Sequence, residues 1–267
     1  MPKLIQPHEI TALLKPDVSV FIPGCAGESL LLAKALQENP QCAEGVHFVG
    51  VWIPGINAID YAALHHTATA TCFFATPALR NSFSEGKVRF IPLHYSDLTH
   101  YLRSLSFDLA FFQVSPPNSD GFCSFGVTAD FPPSIIDRVN TLVGHINPMM
   151  PTPPNAPSVP YESFDYVVEE KYKLIEYDLG KDTESLRRLG VNVASLIKDG
   201  DTIQIGLGKI QATVLDPLSN HKDLRLYGGM ICDPLIKLIE SGATAKADHE
   251  NPAVTTGVAI GSRELYD

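Results

Sequence analysis

The run Val18–Asn39, VSVFIPGCAGESLLLAKALQEN, decides the fold class. Val18 to Ile22 are β-branched, aromatic and small, the composition of a buried strand. The turn PGCAGES follows with two glycines, and then leucines and alanines recur at helical spacing over SLLLAKALQEN. Strand, glycine turn and helix in that order build parallel α/β sheets, because a parallel neighbour is reached only by a crossover. The pattern repeats outward. His47–Val51 (HFVGV) and Lys87–Pro92 (KVRFIP) read as strands, and Asp97–Ser104 as the short helix after the latter. Asp108–Val114 (DLAFFQV) is almost continuously apolar, as suits an inner strand covered on both faces.

Asn147–Pro160, NPMMPTPPNAPSVP, holds six prolines and can be neither helix interior nor central strand. It reads as a linker or as an extended arm laid on the surface, with SFDYVVEE after it as an edge strand. A second α/β pattern then begins: helix SLRRLGVNVASLI, strand DTIQIG, turn LGK, helix IQATVLDPL and strand DLRLYG. Two α/β domains are therefore expected, over 1–184 and 185–267. The second receives few strands before the closing VTTGVAIGSRELYD, and is expected to be cut short or completed by another chain.

The bulk numbers narrow the partners. Thirty acidic residues against twenty basic ones leave a net charge of −10 over 267 residues, which repels nucleic acid and anionic lipid. Five cysteines are scattered without a C-x-x-C pair, so neither a disulfide framework nor a zinc knuckle is expected. The N-terminus, broken by prolines and polar residues, has no signal-peptide core, and no apolar run approaches a membrane span. A cytoplasmic protein is expected.

Several short motifs carry little. Gly24-Cys25-Ala26-Gly27 lacks the Lys-Ser/Thr of a phosphate loop and reads as a tight turn at the sheet edge. Ser195-Leu-Ile-Lys198 matches S-x-x-K, but at a helix end, where Lys198 suits the helix dipole. His65-His66 and His249-Glu250 form no zinc motif, no metal set is visible, and no G-x-S-x-G elbow exists. A dinucleotide-binding oxidoreductase lacks its fingerprint, since the sixth position after Gly206-Leu-Gly208 is Gln211. The strongest pattern signal is the long loop Gln113–Asp130, QVSPPNSDGFCSFGVTAD, at the C-terminal end of a buried strand, where α/β proteins place ligands.

Taken in order, FFATPALRNSFSEGKVRFIPLHYSDL, FDLAFFQVSPPNSDGFCSFGVTADF, INPMMP, LIKDGDTIQIGLGKIQATVL, LIESG and GSRELYD resemble the acetyl-CoA hydrolase/transferase family of the family I CoA-transferases. The resemblance runs from about residue 70 to the end and is similar to acetate and 4-hydroxybutyrate CoA-transferases. It implies two α/β domains, coenzyme A as substrate rather than as bound cofactor, no metal, acyl-CoA and small carboxylates as partners, and a homo-oligomer or partner subunit. It also implies a glutamate that attacks the thioester and forms a glutamyl-CoA intermediate. The family's stretch around that glutamate, L-G-I-H-[ST]-E-M-x-[ST]-D, aligns with Leu224–Asp233, LRLYGGMICD. Tyr227 takes the histidine place and Gly229 the glutamate place. Gly206, Leu207, Gly208, Lys209 and Ile210 match the CoA-contacting turn. Gln113, Ser115, Pro116, Asn118 and Gly121 match the loop at the substrate end. Two classes of function follow: an acyl-CoA transferase or hydrolase working without the glutamyl step, or an inactive homologue or split-transferase subunit that binds CoA or a partner. For the first, Glu28, Asp233 or Glu240 are the candidate bases.

Overall fold

The strand expected at Val18–Ile22 forms over Ser19–Phe21, deep inside an eight-stranded parallel sheet. The computed structural model describes residues 1–248 and 251–267, which divide into two compact units, Met1–Ile175 and Glu176–Asp267. His249-Glu250 lies outside the described residues.

In chain order the first unit contains β1 (Lys3–Leu4), β2 (Ser19–Phe21), α1 (Leu30–Glu38), β3 (His47–Gly50), β4 (Thr69–Cys72), α2 (Arg80–Ser84) and β5 (Val88–Phe90). After these come α3 (Tyr95–Arg103), β6 (Phe107–Val114), β7 (Phe122–Ser124), α4 (Pro132–Ile135), β8 (Val139–Ile146), β9 (Ser158–Pro160) and β10 (Tyr166–Glu169). The sheet runs β1-β10-β8-β6-β2-β3-β4-β5 with every pair parallel. Alternation sends Val20, Leu109 and Phe111 into one core and Phe21, Ala110, Phe112 and Val114 into the other. The Ser29 hydroxyl starts α1 by accepting the Leu32 amide at 3.2 Å, and Leu31, Leu32, Ala35 and Leu36 close over the first core.

Two expectations change here, and one open alternative is resolved. SFDYVVEE is not an edge strand: β10 lies between β8 and β1, because Lys3 and Leu4 pair with Tyr166 and Val167. The Gly24–Gly27 turn is not at the sheet edge either, since β2 is flanked on both sides by β3 and β6. The proline-rich segment is an arm rather than a linker. It stays in the first unit and pairs antiparallel with the long loop through Ser158–Ser124 and Pro160–Phe122. Strands β4 and β8 had no counterpart in the sequence reading.

The second unit contains α5 (Glu184–Ala194), β11 (Thr202–Ile203), α6 (Lys209–Leu215), β12 (Arg225–Ile231), α7 (Pro234–Glu240), β13 (Val254–Ala259) and α8 (Arg263–Tyr266). Its parallel sheet is ordered β11-β12-β13. Ala194 of α5, Leu215 of α6 and Leu235 and Leu238 of α7 pack with Leu224 and Leu226 on one face. The opposite side of β12 carries Tyr227, 63% exposed, and Gly229, also exposed.

Candidate functional site

The first four core strands step outward as β2-β3-β4-β5, and the chain then returns to place β6 on the other side of β2. Where the direction reverses, the C-terminal ends of β2 and β6 form the topological switch point, the place where α/β sheets hold ligands. The polar side chains gathered there bind one another. Gln113 Nε2 donates to the Ala26 carbonyl at 2.8 Å, and Gln113 Oε1 accepts from Asn147 Nδ2 at 2.9 Å. Asn147 in turn donates to the Tyr172 carbonyl. One layer further in, buried Glu28 accepts from Asn57 Nδ2 at 2.8 Å and from the Tyr61 hydroxyl at 2.7 Å. Asn57 Oδ1 also receives the Cys25 and Ile53 amides, each at 2.9 Å, and so ties the β2 turn to the loop after β3.

Electrostatics here favour neutral groups. Burial raises the Glu28 carboxyl above its ordinary range, partly offset by the Asn57 and Tyr61 hydrogen bonds. Burial, with Asp130 and Glu28 nearby, pushes the Cys25 thiol far up, so no thiolate nucleophile forms there. Asp130 is likewise raised by burial and accepts the Tyr95 hydroxyl. His145, fully buried, is lowered to about 4. Its Nε2 faces the Glu170 carbonyl at 2.8 Å, so that nitrogen carries the proton and Nδ1 accepts the Ser29 hydroxyl at 2.8 Å.

The loop expected at the substrate end is braced internally. Ser115 is buried and donates to the Pro116 carbonyl while accepting the Ser124 amide. Asn118 Oδ1 accepts the Asp120 and Phe122 amides, and Gly121, at φ +81°, closes the turn. Pro116 to Gly121 is the exposed rim. Asn57, Tyr61, His145 and Asn147 were not found from sequence. Each lies one strand away from a segment that was, and the signal that would have led to His145 and Asn147 is β8 itself.

In the second unit, Gly206–Gly208 follow β11 and lead into Lys209 and Ile210, both exposed. Gly208 has φ +130°, a conformation open to glycine. A Cβ on Gly228 would lie 2.8 Å from the Ile205 carbonyl oxygen, so the chain entering the glycine turn runs close beside β12 at Gly228. A Cβ on Gly229 would meet nothing within 4 Å. Of the candidate bases, Asp233 is engaged by the Ser262 amide at 2.8 Å and its hydroxyl at 3.1 Å, and Glu240 is exposed at the end of α7. Ser195 donates to the Asn192 carbonyl, not to Lys198. Among the described residues, no three His, Cys, Asp or Glu side chains converge as a metal set, and no helix is long and apolar enough to cross a membrane.

The model of the acetyl-CoA hydrolase/transferase N-terminal domain matches residues 1–176. The 4-hydroxybutyrate coenzyme A transferase of Clostridium kluyveri is 27% identical over 270 residues, covering 99% of this chain and 63% of that protein. The butyryl-CoA:acetate CoA-transferase of Anaerostipes caccae is 25% identical over 257 residues, covering 91% of this chain and 57% of that one. Among solved structures, a 4-hydroxybutyrate CoA-transferase from Porphyromonas gingivalis superposes with a TM-score of 0.78 at 26% identity, covering 99% and 64% of the two chains. RipA from Yersinia pestis superposes at 0.88 with 21% identity, covering 99% and 65%, a likeness of fold alone. The chain spans less than two thirds of the length of these relatives.

Proposed function

The chain belongs to the acetyl-CoA hydrolase/transferase family, and from that premise we propose that it binds acyl-CoA thioesters of the acetate type and processes them without a glutamyl-CoA intermediate. The observation that carries this is the exposure of Gly229, with open space where a side chain would project, at the position that the family resemblance aligns with the glutamate. Glycine offers no atom to attack a thioester carbonyl. A transferase forms the enzyme–CoA thioester and passes CoA to a second carboxylate, and that step needs the missing carboxyl. What the framework still allows is attack by water. The water oxygen bonds to the acyl carbon, the carbon–sulfur bond breaks, and the thiolate takes up the proton. By the family resemblance, the Gly206–Lys209 turn would hold the CoA moiety.

A second reading, a binding subunit without chemistry, is favoured by the state of the buried groups. Both oxygens of Glu28 are occupied and the Cys25 thiol is held protonated, so neither replaces the absent nucleophile.

Incubation with acetyl-, propionyl- and butyryl-CoA, with and without acetate, separates the two. The first reading expects slow release of free CoA and no acyl exchange, and the second expects CoA binding alone. Gly229→Glu should introduce exchange of acyl groups between CoA and acetate in either case. A covalent CoA adduct trapped on the unmodified chain would sink the proposal.

A further inference from the structure

A cavity of about 400 Å³ opens at the free edge of the eight-stranded sheet, away from the switch point and sharing none of its residues. That size is ordinary for a small-molecule site. Its floor is apolar: Cys72 at the end of β4, with Leu79 and Val88, is at most 8% exposed. Its walls are two phenyl rings, Phe83 at 56% and Phe90 at 38% exposure, which belong to neither core of this unit. Arg80, the first residue of α2, is the sole charged lining residue. Among the described residues its side chain makes no hydrogen bond or ion pair, although the chain as a whole carries ten excess negative charges. Lys87, just before β5, is by contrast paired with Glu85 at 3.5 Å. An unpaired guanidinium at the mouth of an apolar, ring-walled hollow is complementary to an anion with a greasy body. One planar guanidinium matches one carboxylate edge to edge, whereas a phosphate monoester calls for more donors than this site has.

We propose that this cavity binds a free carboxylic acid with an apolar body, its carboxylate on Arg80 and its chain between Phe83 and Phe90. The site is separate from the thioester reading and stands or falls without it. Calorimetric titration of the full chain with sodium octanoate should give saturable binding at millimolar concentration or below. Octanamide, with the same tail and no charge, should bind roughly tenfold more weakly, and octanoate should lose a similar factor with Arg80→Gln. Phe83→Ala and Phe90→Ala should weaken octanoate and octanamide alike. Arg80 and Phe83 are exposed, so these variants are expected to keep the wild-type circular dichroism. Three results would overturn the assignment. Octanoate fails to bind, or it binds Arg80→Gln and Phe83→Ala as well as it binds the wild type. In the third, sedimentation shows a dimer that Phe83→Asp dissociates, so that a second copy covers the rings.

Discussion

Two glycines, Gly24 after β2 and Gly229 within β12, answer opposite demands. At Gly24 a Cβ would lie 1.9 Å from the Val51 carbonyl oxygen, and neither backbone can retreat, because the Ile22 amide holds the Val49 carbonyl just before it. Gly24→Ala is expected to cost about 3 kcal/mol, seen as a lower urea midpoint at unchanged slope. At Gly229 nothing lies within 4 Å of the same atom. Gly229→Ala should therefore leave the midpoint almost where it is, so a failure of Gly229→Glu to gain activity cannot be laid to misfolding. The cysteines give a third residue-scale outcome. Burial pushes all five thiols up, so access separates them: Cys25, Cys72, Cys123 and Cys232 are buried, while Cys42 is half-buried. One thiol per chain, Cys42, should react with a disulfide reagent under native conditions, and the other four only on unfolding. Rapid native labelling of Cys25 would contradict the protonated, enclosed state described for it.

At the scale of elements, β8 carries the most consequence. Its histidine is buried as the neutral imidazole, lowered from 6.5 to about 4. The unfolded chain takes a proton there before the folded one does. The stability that His145 lends is thus complete above 6.5 and drains away as pH falls toward about 4, by about 3 kcal/mol in all. Glu28 and Asp130, both raised, act in the opposite sense, since the folded state protonates first and gains as pH falls through their range. Ring-nitrogen NMR isolates the histidine: His145 should stay in the Nε2–H form down to about 4, and titration near 6.5 would refute the burial account. The same strand shows what sequence could and could not supply. VSVFI and DLAFFQV were legible because each presents a nearly continuous apolar run to two covered faces. VNTLVGHI was not, because Asn140, Thr141, Gly144 and His145 interrupt the pattern. Its buried polar group is tolerated only through partners on distant segments, Ser29 and the Glu170 carbonyl. The long loop could be flagged from its place after β6. That the proline-rich arm returns to pair with it depends on a contact between Phe122–Ser124 and Ser158–Pro160 that no local pattern encodes.

At the scale of the molecule, the two units differ in how much they bury. The first closes its parallel sheet between two cores, whereas the second has one cluster on one side and leaves Tyr227 and Gly229 exposed on the other. Parallel sheets gain their stability from cover on both faces, so the second unit is the one expected to open first. Near the start of the second unit, residues 180–185 are exposed, with Lys181 among them. Brief trypsin treatment should cut there and leave a resistant fragment holding residues 1–175, while the remainder is degraded. Equal survival of both pieces would show that one-sided cover suffices. The thioester proposal then adds a measurable coupling. If CoA is held by the Gly206–Lys209 turn, a ligand that binds only the folded second unit stabilises it by mass action, about 2.7 kcal/mol at a hundredfold excess over its Kd. Acetyl-CoA should therefore slow loss of the second unit and leave the first unaffected. Protection of neither unit at millimolar acetyl-CoA would remove the CoA site from the second unit, and with it the mechanism proposed around Gly229.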